Sequence, residues 1–190
     1  WTARSGQLAM VHLNRKQNEM TLYFGGVGMA ATRKVMQEKD EDGWVDVFDF
    51  FANTNDFMVF PKTKEEFYWI SGRDGFQHIY RFDYKGNILS KLTSGAWDVT
   101  SIAGINEAEN LVYYTSTEVS PLERHLYVVA TSGINKSRLT IENGRHNVNV
   151  STQGQYFIDT YSNLTTPRQV ILKNAKGITV KTLESNEAVK

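Results

Sequence analysis

Residues 67–99 read FYWISGRDGFQHIYRFDYKGNILSKLTSGAWDV, which parses as strand, turn, strand, turn, strand, turn and the start of a further strand. The same order returns twice. Phe67-Tyr68-Trp69 comes back as Val112-Tyr113-Tyr114, 45 residues on, and as Tyr156-Phe157-Ile158, 44 further. His78-Ile79-Tyr80 comes back as His125-Leu126-Tyr127 after 47 residues and as Gln169-Val170-Ile171 after 44 more. Lys91-Leu92-Thr93 recurs as Arg138-Leu139-Thr140, again 47 on. A period near 45 built from short strands is the spacing of a β-propeller blade. The fold class expected is therefore all-β: a β-propeller of about three to four blades.

Working outward, residues 7–52, 56–99, 101–148 and 149–190 are the approximate blades, and 1–190 is read as one partial propeller domain. The first is the most divergent. Ala30 to Glu38 leans helical by propensity, but Lys34-Val35-Met36 falls in the slot of Lys91-Leu92-Thr93, so the repeat predicts a strand. Trp44-Val45-Asp46 parallels Trp97-Asp98-Val99. Tyr84-Lys85-Gly86-Asn87 and Asn174-Ala175-Lys176-Gly177 are tight turns in which glycine supplies a positive φ. Pro61 excludes a central strand at that point. No linker or low-complexity run divides the chain.

Lys plus Arg equals Asp plus Glu at 21 each, and this zero balance argues against a nucleic-acid partner, which needs a basic face to displace counterions. No apolar run approaches the ~18–20 residues of a membrane span. There is no cysteine, so disulfides, thiolate catalysis and Cys-based zinc sites are excluded.

Candidate chemistry is sparse. Gly26-Val27-Gly28-Met29-Ala30-Ala31 has the form of a dinucleotide-binding turn, but it needs a following helix and a parallel strand. The antiparallel repeat leaves no room for that unit, so a glycine-rich blade turn is the preferred reading and no cofactor is expected. His12, His78, His125 and His146 show no metal-ligand spacing, and no metal is expected. His78 and His125 share one slot of the repeat, which points to a structural hydrogen bond in each blade. No G-x-S-x-G serine is present, and no catalytic residue is assigned. Glu38 to Gly43 reads as a solvated acidic turn.

Leu13 to Asn18, Gly43-Trp44-Val45, Ser71-Gly72-Arg73-Asp74-Gly75-Phe76-Gln77-His78-Ile79-Tyr80, Leu92 to Val99, Ser120 to Tyr127 and Tyr156 to Ser162 come in an order that resembles the dipeptidyl peptidase IV family, and within it the N-terminal β-propeller. The resemblance implies a serine exopeptidase that removes N-terminal dipeptides with Pro or Ala in second place. It implies a propeller of about eight blades, of which this chain holds the last three or four, gating and positioning the peptide substrate. The catalytic Ser-Asp-His set would lie in an α/β-hydrolase domain, absent from these residues, which would be the partner within the longer chain. After Gly-Trp-Val some members place a Phe-Arg pair at the rim of the substrate pocket. Phe48 matches the Phe, whereas Asp49 stands where the basic residue would be. The absent cysteine suggests a bacterial member, since animal relatives carry propeller disulfides, and an extracytoplasmic location is expected, with a cytoplasmic one still open. Two open blade faces would expose enough apolar area for an isolated fragment to form a homo-oligomer through them. The alternative is a stand-alone propeller that binds protein or glycan, because a fold does not fix a function.

Overall fold

The computed structural model describes residues 1–46 and 56–189. Among them are fifteen strands in four antiparallel sheets. The first sheet holds β1 (Gln7–Leu13), β2 (Glu19–Gly26) and β3 (Arg33–Lys39). The second holds β4 (Met58–Val59), β5 (Glu66–Ser71), β6 (His78–Asp83) and β7 (Ile88–Lys91). The third holds β8 (Val99–Asn106), β9 (Leu111–Ser116), β10 (His125–Ala130) and β11 (Ser137–Arg138). The fourth holds β12 (Arg145–Val150), β13 (Tyr156–Ser162), β14 (Gln169–Asn174) and β15 (Thr179–Glu184). Each strand pairs with its sequence neighbour, as in blades of a propeller, and a single 3-10 turn, Glu187–Val189, ends the described chain.

The repeat is visible in the register. Phe67 faces Phe82 and Trp69 faces Tyr80 across β5 and β6, while Val112 faces Val129 and Tyr114 faces Tyr127 across β9 and β10. Residues 30–38 resolve in favour of the repeat: Arg33–Lys39 is a strand, because pairing with β2 and burial of Val35 and Met36 outweigh a weak helical preference. Sheet boundaries differ from the repeat boundaries by a few residues. β8 begins at Val99, and β12 crosses the division drawn between 148 and 149. Alternating apolar residues locate a strand well, but which sheet a strand joins is decided by pairing partners distant in sequence.

Neighbouring sheets pack face to face. The larger core joins the first three sheets through Phe24, Phe67, Trp69, Phe82, Tyr114 and others, and a smaller one of Tyr113, Leu126, Leu139 and Phe157 joins the third to the fourth. Phe67 stacks on Phe82 at 5.1 Å and meets Phe24 of the first sheet edge-on at 6.5 Å.

The turn glycines of the repeat have a tertiary reason. Gly86, Gly133 and Gly177 take φ of 89°, 83° and 79° in the last hairpin of successive sheets. Each lies against the outer edge of the preceding sheet: a Cβ would come within 2.1 Å of the Val35 carbonyl oxygen, 2.9 Å of that of Lys91 and 2.3 Å of that of Leu139, respectively. Gly86→Ala therefore combines a left-handed backbone with a backbone clash. We expect a loss of at least ~2 kcal/mol in urea unfolding, since an Ala forced to positive φ against a packed neighbour exceeds the usual glycine effect. A loss under ~0.5 kcal/mol would show that the sheets slide apart freely.

Candidate functional site

One hydrogen bond recurs at one end of the sheets. Val45 N–H donates to the Gln17 carbonyl at 2.9 Å, Val99 N–H to Gln77 at 2.8 Å and His146 N–H to Arg124 at 3.0 Å. It gathers the 14–18, 40–46, 72–77, 94–98, 117–124 and 139–144 loops onto a single face. Trp44, Phe76, Val119, Leu122, Ile141 and Leu164 are exposed in the loops of that end, large apolar side chains with no cover among the described residues.

Between the first two sheets this end opens into a groove of about 790 Å³ lined by Glu38, Trp44, Asp46, Arg73, Gln77 and Asp98, among others. Its two cations are engaged. Arg73 reaches Glu38 Oε1 at 2.6 Å and Ser71 Oγ at 2.9 Å and lies over the Tyr80 ring at 4.8 Å; Lys39 pairs with Glu41 at 2.5 Å. Asp46 and Asp98 have no ion-pair partner among the described residues. Burial first, and the charge of Asp98 second, hold the Asp46 carboxyl above its ordinary value. Asp98 Oδ1 accepts the Gln77 N–H at 2.8 Å. The Gln77 side chain, 7% exposed, lies across Gly72, where a Cβ would meet its Nε2 at 2.9 Å. Gln77 Oε1 is buried with no hydrogen bond. A buried amide oxygen without a donor costs ~1–3 kcal/mol.

The two histidines that share a slot close their sheets in the same way. His78 Nε2–H donates to the Gly95 carbonyl at 3.0 Å, and Nδ1 is 3.1 Å from Thr93 Oγ1, which also accepts the Ile79 N–H. His125 Nδ1 contacts Thr140, and Thr140 Oγ1 accepts the Leu126 N–H at 2.9 Å. Burial chiefly, partly opposed by the Gly95 bond, lowers the His78 pKa. A lowered folded value means that the unfolded chain takes up the proton first. The contribution is thus intact above the ordinary histidine value of about 6.5 and is lost as pH falls through the folded value. Melting temperature is expected to fall between pH 7 and pH 5, with a shallower slope for His78→Gln; equal slopes would remove His78 from that dependence.

Sequence spacing missed a buried charge cluster beside the fourth sheet. His146 Nδ1 is 2.8 Å from Asp159 Oδ1, and Nε2 is 2.8 Å from the Glu142 carbonyl oxygen. Lys173 Nζ lies 2.8 Å from Glu142 Oε2 and 3.0 Å from Asp159 Oδ2. Lys173 is 1% exposed and Asp159 0%. Glu142, His146 and Asp159 have the donor types and proximity of a cation site, but the Lys173 ammonium already supplies the positive charge there. The remaining candidates are settled by position. Gly26 to Ala31 is the turn between antiparallel β2 and β3, with Met29 N–H donating to the Gly26 carbonyl, and no helix follows it. In the acidic turn, Asp40 Oδ1 accepts from the Asp42 and Gly43 N–H groups. Phe48 and Asp49 lie outside the described residues.

Residues 1–168 match the sequence profile described as the dipeptidyl peptidase IV (DPP IV) N-terminal region. The chain belongs to this family. Among its curated relatives, the probable dipeptidyl peptidase 4 of Emericella nidulans is 29% identical over 188 residues, covering 96% of this chain and 24% of the relative. Dipeptidyl peptidase 4 of Arthroderma otae is 27% identical over 184 residues, 93% of this chain and 23% of the relative. Among solved structures, dipeptidyl peptidase 4 of Porphyromonas gingivalis superposes with a TM-score of 0.87 at 32% identity, over 100% of this chain and 26% of that one. The chain thus spans about a quarter of the length of the DPP IV relatives it matches. These curated relatives are fungal, so the bacterial source expected from the missing cysteine is not borne out. No described helix is long and apolar enough to cross a membrane.

Proposed function

We propose that this chain is the non-catalytic propeller portion of a serine dipeptidyl peptidase that removes N-terminal dipeptides, with Pro or Ala in second place. The observation that carries this reading is the DPP IV N-terminal region match over residues 1–168. In it, the loop-bearing end faces the α/β-hydrolase domain. Trp44, Phe76, Leu122 and Leu164, exposed on that end, are the kind of apolar surface that a second domain covers. The propeller walls the active site and admits short, flexible peptides while excluding folded proteins, in an extracytoplasmic enzyme.

The test is an assay of the full polypeptide with Gly-Pro-p-nitroanilide, in which release of p-nitroaniline is expected. No hydrolysis by a chain lacking a downstream G-x-S-x-G serine would favour a binding module instead. Cleavage of internal bonds in a folded protein would contradict the gating role.

A further inference from the structure

We propose that Asn143 is a site of spontaneous deamidation, and that its conversion to isoaspartate loosens the joint between the third and fourth sheets. The chemistry needs only water and does not depend on the peptidase reading.

Asn143 is the one asparagine of the chain that precedes a glycine. It is exposed and lies in the bend that leads into β12, outside any strand. Its side-chain amide has no partner, and the Gly144 N–H no acceptor, among the described residues. The bend is held on its carbonyl side instead: Asn143 C=O accepts Asn163 Nδ2–H at 2.8 Å, and Gly144 C=O accepts the Arg124 N–H at 3.3 Å. With no side chain on residue 144, nothing crowds the nitrogen from which ring closure starts. The fold also keeps a glycine there, since φ is 140° and a Cβ would come within 2.5 Å of the Ser162 carbonyl oxygen. Other asparagines are held or hindered. Asn174 Oδ1 accepts the Lys176 and Ile178 N–H groups, and Asn163 Oδ1 those of Thr165 and Thr166. Asn135 precedes Lys136, whose Cβ crowds the attacking nitrogen.

In the reaction, Gly144 N gives its proton to water or hydroxide and attacks the side-chain carbonyl carbon of Asn143. The new N–C bond forms as the bond to the side-chain amide nitrogen breaks, and that nitrogen leaves as ammonia with a proton from water. Water then opens the succinimide at either carbonyl, giving aspartate or isoaspartate at position 143 with no change of oxidation state. Isoaspartate adds a carbon to the backbone of the bend through which the two sheets are tied, by Arg124 N–H to Gly144 and His146 N–H to Arg124 at 3.0 Å. Either product also adds a carboxylate next to Glu142, the partner of Lys173.

The experiment ages the folded full polypeptide at neutral pH and physiological temperature and follows each asparagine by tryptic peptide mapping. Cleavage after Arg138 and Arg145 isolates Asn143 as the only asparagine of its peptide. Digestion in heavy-oxygen water marks any amide lost during work-up. Asn143 is expected to lose its amide at least tenfold faster than Asn135 or Asn174, with isoaspartate the main product, and the aged protein to melt below the fresh one. Asn143→Gln, whose longer side chain closes the ring far more slowly, is expected to keep its melting temperature on ageing; the exposed, unpartnered side chain lets this variant fold. Amide loss at Asn143 no faster than at Asn135, or equal falls in melting temperature for the two aged proteins, would each overturn the proposal.

Discussion

Replacing Lys173 by alanine is expected to destabilise the fold by about 3–5 kcal/mol, the range for removing one partner of a buried ion pair. Lys173 Nζ sits between Glu142 Oε2 and Asp159 Oδ2, and Asp159 is fully buried. With the ammonium gone, Asp159 keeps His146 on Oδ1 but has no cation on Oδ2. The cost comes chiefly from that stranded carboxylate, not from the worth of the pair. The double substitution Lys173→Met with Asp159→Asn removes the charge as well, while the amide oxygen introduced by Asp159→Asn can still accept from His146. It should therefore be milder than Lys173→Met alone. Urea unfolding of Lys173→Met, Asp159→Asn and the double variant decides the matter. If the double variant loses as much as the sum of the single ones, the two side chains are uncoupled and the network account fails.

Truncating Phe67 to alanine should cost a similar amount, about 3–5 kcal/mol, for a different reason. The ring is fully buried, stacked between Phe82 at 5.1 Å and Phe60 at 5.4 Å. Its edge also meets Phe24 across the joint between the first and second sheets. Alanine leaves a cavity whose walls are strands held in register by their own ladders, so little collapse can fill it. Phe67→Leu keeps most of the volume and should lose no more than about half as much. Comparable losses for both variants in thermal or urea unfolding would mean that ring stacking, and not cavity formation, dominates the site.

Much of the fold was legible because blade pairing is local. Each strand pairs with the next one along, so alternation, turn glycines and the 45-residue period report the sheets directly. The His-Thr closures were readable for the same reason, since His78 with Thr93 and His125 with Thr140 lie fifteen residues apart within one repeat. Beyond pairing, residues 30–38 show the period overriding propensity. The candidate site was much less legible. Phe48 was singled out by resemblance and falls outside the described residues, whereas Gln77 gave no signal beyond its place in a family motif.

By itself, then, the sequence determined the strand order, the repeat, the turns and the family, because these depend on residues close along the chain. Only the tertiary structure decided which polar residues lose water. Glu142, His146, Asp159 and Lys173 look like ordinary surface residues in order, yet adjacent strands β12, β13 and β14 bring His146, Asp159 and Lys173 together out of solvent, with a partly exposed Glu142 at their margin. Asp46, Gln77 and Asp98 likewise meet only because the loops of successive sheets share one end. Burial is a property of neighbours from other repeats, and the period of a chain is silent on which side chains those neighbours will cover.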